Sequence, residues 1–416
     1  MEEGQHGAVA QQLQANEGED EAPQLDLFGM PMAAPASDSP GASVRAATSP
    51  TRPSSREAAS ALASSPLWRE EVALTATPAP ASPHAEKPKH RARDVVAAIP
   101  SADVLAVADA LPPQVHLGAS SWSFPGWNGI VYGDDYSNSK LSRDGLAAYG
   151  SHPLLRTVSI DRSFYAPLTL ADYLRYARQV PDHFRFIVKA PQSVTDATVR
   201  AERGEPVSLN PCFQNAQIAI DDFVRPCLDG LGARAGALVF QFSPLPDEMM
   251  AEPAIFIDRL SAFLAALPRL PEGGACYAVE IRDACLLTPR FIRALRAAGV
   301  RYCVGIHARM PDPLRQAAAL ALLDGEPAGP LIVRWSLHGG FKYEQAKAKY
   351  EPFDRLVDED PTTRAALAEL AARYALAGWP VLIAANNKAE GSAPLTCVKL
   401  GEAIVEACTR LREESA

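Results

Sequence analysis

Gly118-Ala-Ser-Ser-Trp-Ser-Phe-Pro-Gly-Trp-Asn-Gly-Ile-Val-Tyr132 follows a short strand-like run, Val115-His116-Leu117. Two tryptophans, three glycines and two adjacent serines crowd the end of that strand. In an α/β protein the strand holds such a loop rigid while its sequence varies, so pockets are built there. Downstream, strand-like runs recur at 157–161, 185–189, 236–242, 276–282, 302–306, 331–337 and 381–386. Helix signals lie between most of them. Thr169 before Leu170-Ala-Asp172 reads as a cap. Thr288-Pro289, an apolar face at Phe291, Ile292 and Leu295, then Gly299 read as N-cap, first-turn proline and C-terminal glycine. Further helices are expected at about 361–377 and 396–412.

Eight strands alternating with helices over 100–416 predict a single (β/α)8 TIM-barrel-like α/β domain. An open doubly wound sheet is the alternative. No Gly-x-Gly-x-x-Gly follows the first strand, so a dinucleotide fold has no support. Residues 1–95 are rich in Ala, Pro and Ser and poor in large apolar residues. Such a segment cannot bury enough surface to offset its ordering entropy, and a long disordered N-terminal tail is expected.

The 416 residues are 47% hydrophobic, enough for a large core. No apolar run approaches the roughly 20 residues of a membrane helix. The start, Met1-Glu-Glu-Gly-Gln-His6, has no basic and apolar leader pattern. Seven cysteines (Cys212, Cys227, Cys276, Cys285, Cys303, Cys397 and Cys408) are scattered and form no Cys-x-x-Cys pair. That usage predicts reduced thiols in a cytoplasmic protein. A net charge of −9 does not announce a basic nucleic-acid surface.

In a barrel, the C-terminal ends of the strands form the mouth. The strand ends here deliver Ser121 and Trp122, Asp161, Lys189, Gln241, Glu280 and Arg282, Arg334 with His338 beyond it, and Asn386 with Asn387. Each follows an apolar stretch, and their convergence on one face predicts a ligand site. Glu280 and Arg282 alternate with Val279 and Ile281, so both point to one side of their strand. They suit an internal salt bridge. Glu280 is also the general acid/base candidate, with Lys189 or Arg334 tuning it. Lys189 suits a bound phosphate or carboxylate, or a nucleophilic role if desolvated. Arg334 suits bidentate binding of an oxyanion. Trp122 reads as a lid, a stacking platform or simple packing. Asn386 and Asn387 offer amide donors or shape a turn. His307, His338, Glu280 and Asp161 lack metal-ligand spacing, so no dedicated metal site is expected. Nothing in the chain names a cofactor or an oligomeric state.

These segments resemble the YecE-like family, the domain of unknown function 72. The opening run resembles its first motif, and Thr157-Val-Ser-Ile-Asp-Arg-Ser-Phe-Tyr165 its second. Asp182-His-Phe-Arg-Phe-Ile-Val-Lys-Ala-Pro191, Gly236-Ala-Leu-Val-Phe-Gln-Phe-Ser-Pro244 and Ala278-Val-Glu-Ile-Arg282 resemble the next three. Val333-Arg334 with His338-Gly339, and Asn386-Asn387 through Ala393-Pro394, echo the last two. The resemblance implies a TIM-barrel-like fold over about 115–405 and carries no established activity. The family's usual Glu-x-Asn of the second strand is here Ser159 and Asp161, and Asp283-Ala-Cys-Leu replaces its His-x-Ser-Trp after the fifth.

Gln24-Leu25-Asp26-Leu27-Phe28 is similar to the pentapeptide by which bacterial repair and replication proteins bind the DNA sliding clamp. Leu27 and Phe28 would fill an apolar pocket and Gln24 would anchor, the segment folding on binding. Three functions stay open. One is an enzyme acting on a small anionic or phosphate-bearing ligand, and another a non-catalytic ligand-binding scaffold. The third is a clamp-tethered DNA repair or replication accessory protein, nuclease-like or non-catalytic.

Overall fold

The computed structural model describes residues 94–201 and 205–416, with the backbone of two short strands, Gln24–Leu25 and Pro31–Met32, paired antiparallel. The expected tail over 1–95 lies almost wholly outside the described residues, as do Leu27 and Phe28 of the pentapeptide.

Eight parallel strands close a barrel in sequence order: β1 (Val115–Ala119), β2 (Leu155–Ile160), β3 (Arg185–Lys189), β4 (Ala235–Gln241), β5 (Cys276–Glu280), β6 (Arg301–Ile306), β7 (Leu331–Trp335) and β8 (Val381–Ala385). β8 pairs with β1, Leu382 beside His116, so the sheet has no free edge and the open-sheet alternative is excluded. The strands stop slightly short of expectation. Asp161, Arg282, His338 and Asn386 stand just beyond their ends, in the loops of the mouth.

Helices follow each strand: α1 (Leu146–Gly150), α2 (Leu170–Ala177), α3 (Arg225–Leu231), α4 (Pro253–Ala265), α5 (Pro289–Ala298), α6 (Pro313–Asp324), α7 (Pro361–Leu376) and α8 (Ala393–Glu414). Their starts are chemically marked. Thr169 and Asp172 form a reciprocal capping box on α2, and Thr288, Asp312 and Asp360 accept from the first turns of α5, α6 and α7. Gly299 ends α5 at φ +67°, where a side chain would be strained.

The core has two parts. The larger packs helices on the outer barrel face, through Val279, Ile281, Phe240 and Phe263 among others. The smaller fills the barrel itself with Ile187, Ala237, Val239, Ala278, Cys303, Ile332, Leu382 and Ala384. On β5, Ala278 is therefore inside and Val279 outside, as period-2 alternation demands.

The opening glycine has a structural task. The β1–β2 register shifts between Leu117 and Gly118, and a Cβ on Gly118 would sit 1.8 Å from the Thr157 carbonyl oxygen. The Tyr149 hydroxyl bridges this irregularity. It accepts from Ala119 N at 2.8 Å and donates to Thr157 O at 2.9 Å. The loop beyond is packed, with Trp127 fully buried between Phe124 and Tyr149.

Candidate functional site

Above the apolar filling of the barrel sits a layer of charge. Arg334, on β7, donates from Nη1 to Glu280 Oε2 at 2.7 Å and to Gln241 Oε1 at 2.8 Å. Its Nη2 donates to Asp161 Oδ2 at 2.7 Å. Arg282 Nη2 donates to the same Gln241 oxygen at 3.0 Å and approaches Glu280 Oε1 at 2.7 Å. That second approach is off the hydrogen-bonding line, so it is an ion contact and Oε1 has no aligned donor. The pairing register explains the sharing, because Gln241 lies directly beside Glu280 in the β4–β5 ladder.

Glu280 is fully buried, and Arg334 and Arg282 are nearly so. Burial pushes the Glu280 carboxyl up, but Arg282 and Arg334 outweigh it and hold it below the ordinary carboxylate value. Arg334 loses by burial and gains more from Asp161 and Glu280, so its proton is held more tightly than usual. Arg282 is pulled down by burial despite Glu280, with Arg334 repelling it, yet a guanidinium remains charged. Its Nη1 is buried without a hydrogen-bond partner among the described residues.

Lys189 ends β3, is 8% exposed, and places its ammonium 3.4 Å from the Phe164 ring centroid. Burial brings its pKa down to about 7; Asp161 opposes this, and Arg334 and Arg282 reinforce it. The ring that carries it is fixed from behind, since Ser163 Oγ lies 2.6 Å from Lys189 O and 2.9 Å from Ile160 O. Ser159 donates to Asp161 Oδ1 at 2.5 Å and so aims the other Asp161 oxygen at Arg334. His307, next to Arg282, is pushed down to about 3 by burial, Arg282 and Arg309, and is neutral at pH 7.

Five of the expected residues thus meet directly: Asp161, Gln241, Glu280, Arg282 and Arg334. Lys189 joins them through the field. The others contribute to loop structure, although Trp122 Nε1 and Asn387 Nδ2 are buried without a hydrogen-bond partner among the described residues. Asn386 Nδ2 donates to Ser120 Oγ, and its Oδ1 caps Lys388 N. Asn387 Oδ1 accepts from Ala393 N at the start of α8. Ser121 Oγ contacts Ser123 Oγ, and Trp122 packs edge-on against Tyr176 of α2. His338 bonds Gly339 O and packs on Phe341. Among the described residues, no three His, Cys, Asp or Glu side chains gather as metal ligands.

Gly305 was not visible as a site residue. A Cβ there would lie 3.2 Å from Glu280 Oε1. The carboxylate cannot retreat, because two guanidiniums hold it. Gly305→Ala is expected to cost about 1–3 kcal/mol, read from the urea midpoint.

A closed parallel eight-stranded barrel with a helix after each strand and an ion cluster at its C-terminal mouth defines a TIM-barrel-like protein. The chain matches the family described as "Protein of unknown function DUF72" over residues 116–415, and it belongs to that family. It is similar to a crystal structure of a DUF72 family protein from Enterococcus faecalis, at 17% identity and TM-score 0.46, over 70% of this chain and 95% of that one. A DUF72 family protein from Thermotoga maritima is similar at 19% identity and TM-score 0.45, over 69% and 98%. No curated protein matches the chain.

Proposed function

We propose that this DUF72 family barrel binds a small anionic or phosphate-bearing ligand at its mouth, with Lys189 as the reactive group. The observation that carries the reading is the charge balance of the buried cluster. Lys189, Arg282 and Arg334 face two carboxylates, Asp161 and Glu280, and Arg282 Nη1 is an unused buried donor. A buried donor without a partner costs about 1–3 kcal/mol, which an anion would relieve. Glu280 then serves chiefly to hold the two guanidiniums, and Arg334 to order Asp161. Lys189, near 7, exists in both protonation states at neutral pH. That property suits a general acid/base or an amine nucleophile, so the reading includes catalysis.

The test is titration with inorganic phosphate and glycerol phosphate, followed by calorimetry. Wild type is expected to bind, and Lys189→Met and Arg282→Met to weaken binding about tenfold or more, one lost charge-assisted contact each. No binding by wild type, or equal binding by both variants, removes the reading.

A second reading rests on Gln24-Leu25-Asp26-Leu27-Phe28. We propose that this segment docks on the bacterial DNA sliding clamp and tethers the barrel near DNA, raising its local concentration without intrinsic DNA affinity. A peptide of residues 15–35 is expected to bind the clamp and to lose binding when Leu27 and Phe28 become alanine. A peptide that fails to bind, or binds equally well after substitution, ends this reading. All seven cysteines are free, which supports a reducing, cytoplasmic setting for either role. Among the described residues, no helix is long and apolar enough to cross a membrane.

A further inference from the structure

The opposite end of the barrel holds a cavity of about 400 Å3, lined by His116, Arg185, Gly236, Pro330, Pro380 and Leu382 among others. That volume is within the range of roughly 300–1,000 Å3 typical of small-molecule sites. Two small residues of β4, Ala235 and Gly236, are part of its wall. Ala235, Gly236 and Ala237 run in series where barrels usually set bulky branched side chains. Gly236 has no room to be larger, since its Cβ would fall 2.5 Å from Leu382 Cδ2 and 3.0 Å from Arg185 Cβ.

Three polar side chains line this cavity: Gln114, His116 and Arg185. His116 is 9% exposed, and its Nδ1 has no hydrogen-bond partner among the described residues. Arg185 bonds the carbonyls of Asp182 and Phe184, both from Nη1, which leaves Nε and Nη2 open to a ligand. The surroundings are cationic. Burial first, then Arg185, with Arg156 and His183 adding to it, holds His116 down to about 4 against the Arg156 carbonyl. The helix C-termini also face this end, but their field falls off within a turn, whereas Arg185 is part of the lining.

We infer that this cavity at the N-terminal end of the barrel binds a small organic monoanion, a carboxylate on an apolar body. Arg185 takes the carboxylate, Leu382 with the prolines covers the body, and the neutral His116 ring, its Nδ1 an acceptor, lies beside that body and reports on it. One guanidinium among apolar walls suits a single charge, in contrast to the three cations of the mouth.

Benzoate is the probe, and benzamide is its uncharged counterpart. Histidine ring resonances of the full chain report the site. The expected result is a saturable shift of His116 with benzoate and at least tenfold weaker binding of benzamide. Arg185→Gln is expected to weaken benzoate at least tenfold. Ala233→Trp, at the exposed rim, is expected to block it without touching the core. Excess inorganic phosphate, directed to the mouth, is expected to leave benzoate bound. No saturable shift, equal binding of benzamide, full binding by either variant, or displacement by phosphate would each overturn the inference. The phosphate arm separates its failure from failure of the mouth reading.

Discussion

Replacing Glu280 by glutamine is expected to cost about 3–5 kcal/mol of folding stability, the range for removing one member of a buried ion cluster. The substitution keeps the side chain's volume and removes only its charge. In the wild type, Glu280 faces Arg334 at 2.7 Å and Arg282 at 2.7 Å, with no exposed surface. A glutamine amide must turn its NH2 toward one of those guanidiniums, donor against donor. Arg334 keeps Asp161, but Arg282 loses its one carboxylate and retains only the Gln241 oxygen. Urea unfolding at pH 7 reads the loss, and the melting temperature should fall by roughly 2–4 °C per kcal/mol. Adding Arg282→Met should restore part of it, because an apolar replacement removes the stranded charge. A loss below about 1 kcal/mol for Glu280→Gln would mean that the carboxylate does not anchor the cluster.

The sequence exposes this cluster unevenly, and the reason is geometric. Glu280 and Arg282 were legible as inward partners because alternation along one strand needs no knowledge of any other. Asp161, Lys189, Gln241 and Arg334 were legible as strand ends, a position along the barrel axis. Whether such a residue turns inward depends on the loop that follows it. Asn386, Asn387, Ser121 and Trp122 also follow strand ends, and their contacts are to caps and packing rather than to the cluster. Gly305 and Phe164 were invisible for another reason. Gly305 matters only because its strand lies against the Glu280 carboxylate, and Phe164 only because its ring lies under Lys189. The cavity at the other end was hidden too, since Ala235-Gly236-Ala237 reads as a strand whether or not its neighbours fill the space.

Lys189→Met is expected to be more stable than wild type at pH 7, with an advantage that shrinks as pH rises. The folded protein holds Lys189 near 7 against an ordinary value of 10.5. Between those values the unfolded chain carries the proton and the folded chain does not. Stability of the wild type therefore rises with pH across this window, by up to about 1.4 kcal/mol per unit. Methionine has no proton to lose and lacks this slope. Urea unfolding of both proteins at pH 8 and pH 10 should show the wild type gaining about 2–3 kcal/mol relative to the variant. An unchanged gap would mean that the ammonium is as well solvated in the barrel as in water. The same slope tests the ligand reading. An anion paired with Lys189 favours the charged form and moves its pKa back up. Saturating inorganic phosphate should then flatten the slope in the wild type and leave Lys189→Met unaltered. If Lys189 instead only neutralises Asp161 as part of the core, phosphate leaves both curves where they were.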